Sequence, residues 1–268
     1  MKTIVTSAAV LAALTTAAAA ADLPRRALPA APIALPVFTW TGAYFGINAG
    51  YIRSTKDDGN TAGVIRTSSG FPLADYSAPA HLQRDGFTGG GQVGYNYQFT
   101  PGAGFVVGVE ADLGYTGLRG RETYKSIVIG TNSFRQSGDY LGTVRGRVGY
   151  AVDRTLFYAT GGFAYAGETY RTSLFQTGNV PNYYGSRSRI ETGYAAGGGV
   201  EYALPTDSFL NVLHANAVTV KGEALYYDLG SRTIPVLPTF RNVNAFASRY
   251  PNEGVLGRVG LNYKFGSY

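Results

Sequence analysis

The chain has 268 residues, with 23 Lys or Arg against 17 Asp or Glu, two histidines and no cysteine, which excludes a disulfide framework and thiolate metal ligation. Only 15% of residues are charged while Gly (37) and Tyr (21) abound, too few charges for an ordinary soluble surface. Mean hydropathy is −0.05 and no internal apolar run reaches the ~20 residues of a spanning helix, so a membrane crossing would use alternating strands.

Lys2, an apolar run from Ile4 to Leu14 and then "TTAAAAAD" have the order of a secretory signal peptide, expected over residues 1–21. Without cysteine there is no residue to acylate, so a lipoprotein is excluded. Residues 22–38 hold Pro24, Pro29, Pro32 and Pro36; proline cannot donate to a strand ladder and favours extended chain, so this stretch reads as a periplasmic tether.

Residues 39–268 sort into eight segments that alternate at period two, the signature of strands with unlike faces. In order they are "WTGAYFGINAGY", "GFTGGGQVGYNYQF", "FVVGVEADLGY", "YLGTVRGRVGYAV", "TLFYATGGFAYAG", "TGYAAGGGVEYAL", "AVTVKGEALYYD" and "EGVLGRVGLNYKF". In the third, Phe105, Val107, Val109, Leu113 and Tyr115 oppose Glu110 and Asp112. In the fourth, Val144, Val148, Tyr150 and Val152 oppose Thr143, Arg145 and Arg147. In the last, Val255, Val259, Leu261, Tyr263 and Phe265 oppose Leu256, Arg258, Asn262 and Lys264. The fifth is the weakest, since both of its faces carry aromatics.

Segments of this length suit tilted spanning strands, and aromatics gather at their ends as interface girdles require. The connections "TPGAG" and "DR" are short and Pro205–Asn216 is intermediate, whereas 52–85, 116–139, 166–191 and 228–253 are long. The expected fold is therefore all-β: an eight-stranded antiparallel transmembrane barrel with short periplasmic turns and four long extracellular loops. The apolar face must look out at lipid and the polar face inward. A soluble sandwich or lipocalin-like barrel would need the reverse, with charges on the outer face of every strand.

"WTGAYFGINAGY", "GVEYAL", "KGEALYYDLG" and "VGLNYKF", with "ADLP" after the signal, resemble the small outer-membrane surface-antigen family of alphaproteobacteria, which includes hemin-binding and immunogenic outer-membrane proteins. The resemblance spans about residues 40–265. It implies an eight-stranded barrel in the cell outer membrane, surface exposure and antigenicity. Members are linked to haem binding, adhesion or envelope integrity, so it fixes no molecular activity. Family chains usually end at the terminal Phe, whereas "GSY" follows Phe265 here; the signal read by the outer-membrane assembly machinery would then use Phe265 or Tyr268, and alternation favours Phe265, with Tyr263 on the same face.

Nine ionisable residues take inward parity: Glu110, Asp112, Arg145, Arg147, Glu201, Lys221, Glu223, Arg258 and Lys264. Eight strands enclose little more than their own side chains, and charges away from water must pair. A packed network plugging the lumen is expected, with Glu223–Arg258, Glu110–Arg145 and Glu201–Lys221 as cross-strand pairs. The alternative is a narrow, porin-like small-solute or ion channel lined by Arg145, Arg147 and Arg258.

The two histidines, His81 and His214, lie outside the predicted strands and no nucleophile motif accompanies them, so a non-enzymatic protein is expected. His81 with tyrosines is the candidate for haem ligation in a surface receptor or adhesin; no other cofactor and no metal site is expected. The long connections carry 14 Lys or Arg and 10 Asp or Glu. Their arginines suit bidentate contacts to lipopolysaccharide phosphates. Host ligands are further candidate partners; nucleic acid is excluded by compartment.

Overall fold

The computed structural model describes residues 37–56, 58–66, 69–126, 130–176, 182–205, 208–239 and 244–266. The expected signal peptide and most of the tether lie outside the described residues. Eleven strands follow in order: β1 (Gly42–Ser54), β2 (Asp58–Arg66), β3 (Pro72–His81), β4 (Asp85–Gln98), β5 (Ala103–Thr116), β6 (Arg119–Ser126), β7 (Gly130–Val152), β8 (Thr155–Gln176), β9 (Tyr183–Ala203), β10 (Ala217–Pro238) and β11 (Ala245–Phe265). Eight of them form an antiparallel ring, β1–β4–β5–β7–β8–β9–β10–β11, which closes because β11 pairs back onto β1 from Ala43↔Phe265 to Ser54↔Gly254. In lipid no backbone donor can be left to water, so closure is what allows the sheet to span.

The ring is apolar outside and polar inside over its lower half. Val93, Val109, Val144, Val148, Phe163, Val200 and Val259 are exposed on the outer wall, while Gln92, Glu110, Arg145, Thr160, Glu201, Lys221 and Arg258 are buried in the lumen. Outward aromatics mark two levels: Tyr97, Phe99, Phe105, Tyr150, Phe157 and Tyr202 near the tight turns, and Phe87, Tyr115 and Tyr194 near the other end. The β4–β5 turn uses Gly102 at φ 80, and the two-residue β7–β8 turn puts Asp153 at φ 52, a left-handed geometry Gly takes freely and Asp tolerates.

The four long connections are built largely of strand rather than irregular chain. β7 to β11 run 21–23 residues, about twice what the hydrocarbon layer needs. β2 and β3 form a hairpin whose first strand pairs with the upper part of β11, and β6 pairs with the upper part of β7. The reason lies in the solvent. Above the upper aromatics the barrel leaves lipid for water, so its hydropathic sides exchange: Phe134, Tyr170, Leu174, Tyr183, Ile234, Val236, Phe246 and Tyr250 pack inside as an apolar cluster. Bulges at Gly138/Tyr140 in β7 and at Asp228/Ser231 in β10, the latter with Gly230 at φ 77, add a residue and switch which parity faces in.

The interior is layered. At the end with the tight turns Trp40, Val106, Ala151, Leu156, Tyr158 and Ala203 form one apolar cluster. Above it lie the lumen charges. Next comes a second apolar layer containing Ile52, Leu141, Leu225 and Leu256, and above that a buried polar layer in which Arg84 faces Glu168 at 3.7 Å. Leu256, on the polar face by sequence, thus belongs to an apolar floor inside the barrel. Val218 has outward parity but is buried; below it the β9–β10 turn folds against the wall, where Tyr263 Oη donates to the Leu210 carbonyl at 2.9 Å.

Candidate functional site: a charge cluster in the lumen

Alternation places Glu110 and Asp112 on β5, Arg145 and Arg147 on β7, Glu201 on β9, Lys221 and Glu223 on β10 and Arg258 on β11, all aimed at the axis. Each strand supplies one or two charges at i and i+2. The strands are brought together by ring closure, which sequence spacing alone does not display. All eight side chains are at most 3% exposed in the ion pairs they form.

Arg145 sits at the centre. Its guanidinium reaches Glu110 at 2.7 Å, Asp112 at 3.0 Å and Glu223 at 3.0 Å, and Nε donates to the Thr143 hydroxyl oxygen at 2.8 Å. Arg258 bridges Asp112 at 2.9 Å and Glu223 at 2.7 Å. Lys221 donates to Glu110 at 2.8 Å. Arg147 donates to Glu201 at 2.9 Å and lies 3.9 Å over the Tyr158 ring. Four acids meet four bases, so the cluster is neutral. Neutral donors complete it: Tyr44 Oη to Glu110 at 2.8 Å, Tyr158 Oη to Glu223 at 3.1 Å and Asn262 to Glu201 at 2.9 Å. Shared multidentate bonding of this kind is what lets ions persist away from water.

Two of the three expected pairs are direct. Glu223 stands opposite Arg258 and Glu110 opposite Arg145 in the ladders, and both are in contact. Glu201 and Lys221 are also opposite, but each turns to another partner, Arg147 and Glu110. Lys264 is not brought to the cluster. It lies near the mouth at the tight-turn end, where Nζ donates to the Thr41 carbonyl at 2.6 Å; its parity points inward but it sits three inward-facing positions below Arg258. Tyr44 and Tyr158, which sequence reasoning left out, join because tyrosine reaches across a narrow lumen. Their signal was an aromatic at inward parity facing glycine: a Cβ on Gly94 would stand 2.4 Å from the Tyr44 ring, and one on Gly199 would stand 2.7 Å from the Tyr158 hydroxyl. Glycines on the inner face therefore clear room for the long side chains.

The other candidates lie apart. His81, on the β2–β3 hairpin, bonds Asp58 Oδ1 at 2.7 Å and its side chain is 69% exposed. An exposed, carboxylate-paired imidazole offers no apolar slot for a porphyrin, so these residues do not fit haem. Among the described residues there is no group of three or more His, Asp or Glu able to hold a metal ion. Tyr263 and Phe265 close the seam: Phe265 stacks on Phe45 of β1 with ring centroids 5.5 Å apart.

A family model for the outer membrane protein beta-barrel domain matches residues 6–265. The chain belongs to this outer-membrane β-barrel family. It is 33% identical to the 31 kDa outer-membrane immunogenic protein of Brucella melitensis biotype 1, over 96% of this chain and 98% of that one. It is 27% identical to the 22 kDa outer membrane protein of Rhizobium leguminosarum bv. viciae, over 78% and 81%. Among solved structures it is similar in fold to the outer membrane protein OprG of Pseudomonas aeruginosa, with a TM-score of 0.51 at 14% identity, covering 85% of this chain and 97% of that one. The barrel is thus a protein of the cell outer membrane, as the alternating segments and the resemblance to alphaproteobacterial surface antigens predict.

Proposed function

We propose that this is a non-enzymatic, non-conducting outer-membrane protein, a barrel plugged by its own charges that anchors a strand-built head at the cell surface and contributes to envelope integrity. The observation that carries it is the neutral cluster of Glu110, Asp112, Arg145, Arg147, Glu201, Lys221, Glu223 and Arg258, held between two apolar layers. A selective pore presents a ring of one sign to water; here each positive group is spent on a carboxylate. The direction of insertion follows from the short turns at one rim and the tall head at the other. Tyr263 and Phe265 are the residues we assign to recognition by the assembly machinery, and the surrounding lipids and lipopolysaccharide are the partners of the wall.

Because the chain has no cysteine, single-cysteine variants report topology cleanly. Asp58→Cys, in the head, should react with a membrane-impermeant maleimide on intact cells. Gly102→Cys, in the β4–β5 turn, should react only after the envelope is opened. Labelling at 102 but not at 58 would invert the molecule and remove the display role.

A further inference from the structure

We propose that a row of arginines on the outer wall, just above the upper aromatics, binds the phosphate groups of lipopolysaccharide in the surrounding leaflet. The ladders set Arg121 of β6 opposite Arg135 of β7, and Arg135 opposite Arg171 of β8. Arg119 lies two residues along β6 from Arg121, on the same face. Phe134, Gln136 and Tyr170 are buried on the inner side, so the neighbouring arginines face outward, and all four are exposed.

Side chains directly opposite on paired strands stand about 5 Å apart at Cβ, and like charges there repel. Three guanidinium groups abreast are therefore an arrangement the sheet does not favour by itself. Among the described residues none of the four has an ion-pair partner. Asp139 shares their depression without pairing, and Asp85, opposite Arg119, instead accepts the Tyr51 hydroxyl. Some basic groups elsewhere on the head do find acids, Lys56 with Glu253 and Arg232 with Glu191, while Arg66 and Arg249 bond the neutral Gly70 carbonyl and Ser231 hydroxyl. Together Arg119, Arg121, Arg135 and Arg171 line a depression of about 520 Å³, with Ser137 and Thr169 as neutral donors.

Position selects the ligand. Arg135 stands four rungs above Tyr140, which lies opposite Tyr115 of the upper ring, since the bulge takes up one residue between them; at ~3.3 Å per residue and a barrel tilt of ~40° that is about 10 Å above the interface ring. Arginine stems lie along a wall and let their heads reach down or up by several ångströms, which covers the phosphate-bearing headgroup zone. The row faces sideways over the leaflet rather than away from the cell, which favours a membrane ligand over a soluble one. Guanidinium groups grip phosphate bidentately. This inference rests on the outer-membrane placement and not on the closed lumen.

The test uses the full chain refolded in detergent, with binding of purified lipopolysaccharide measured at several salt concentrations. Arg121→Gln/Arg135→Gln/Arg171→Gln should weaken binding by roughly tenfold or more. Chemically dephosphorylated lipopolysaccharide should bind wild type as weakly as the triple variant binds the intact lipid. Arg187→Gln/Arg189→Gln, on β9 outside the row, should leave binding unchanged. With ligand absent, the triple variant should unfold at equal or higher temperature than wild type, because repulsion is relieved; this separates a binding row from a structural one. Unchanged lipopolysaccharide binding by the triple variant, or binding of the dephosphorylated lipid as tight as that of the intact lipid, would each overturn the assignment.

Discussion

Arg145→Met should destabilise the barrel by about 3–5 kcal/mol, the cost of leaving buried charge without its partner, measured by urea unfolding in lipid vesicles. Arg145 contacts three carboxylates, Glu110, Asp112 and Glu223, and is 1% exposed. Methionine fills much of its volume, so the loss is electrostatic rather than a cavity. Lys221 and Arg258 remain for Glu110, Asp112 and Glu223, two bases for three acids, because Arg147 is held by Glu201. Neutralising an acid at the same time should return part of the loss. In a double-mutant cycle, Glu223→Gln with Arg258→Met should cost measurably less than the two single changes added, since these side chains meet at 2.7 Å and contacting residues couple by about 0.5–3 kcal/mol. Strict additivity would mean that the ladder places the pair together without an energetic bond.

Val259→Arg should cost about 2–4 kcal/mol, the penalty for a cation on a barrel's lipid face near the midplane. Val259 is 64% exposed on the outer wall, paired with Ala49 and Gly222, midway between the aromatic levels. Leu256→Arg tests the other side. It faces the apolar floor with Leu141 and Leu225, so a cation there should also be costly, although strand parity alone would rate the position polar. Leu73→Arg, exposed on the head, should change stability by no more than about 0.5 kcal/mol, as ordinary surface substitutions do. Equal tolerance at Val259 and Leu73 in the same vesicles would mean that the outer wall does not meet lipid.

The lower barrel was legible because lipid outside and charge inside impose one rule on eight strands. Glu110, Arg145, Glu223 and Arg258 carry that rule in plain alternation. The head was not legible, since water replaces lipid above Tyr140 and the same alternation acquires the opposite meaning. In β8, Phe163 is apolar and outward, whereas Leu174 is apolar and inward, with no break in the strand to announce the change. In β10 the bulge at Gly230 cancels the exchange, so Val220 and Val236 share parity while facing opposite sides. Depth was the other blind spot. Lys264 has the inward parity of Arg258 but lies at the mouth, and only the register of β11 on β1 fixes that. The arginine row is similarly hidden: Arg121, Arg135 and Arg171 are 14 and 36 residues apart and become neighbours only through the β6–β7–β8 ladders.

The closed lumen is tested most directly by single-channel recording of the refolded, full-length chain in planar bilayers. The charge-paired interior predicts no discrete conductance steps above the bare bilayer, in either polarity, for wild type. Reproducible unit steps in wild type that change with Arg145→Met or Arg258→Met would contradict it, because ions would then be passing through the very groups held here to close the barrel.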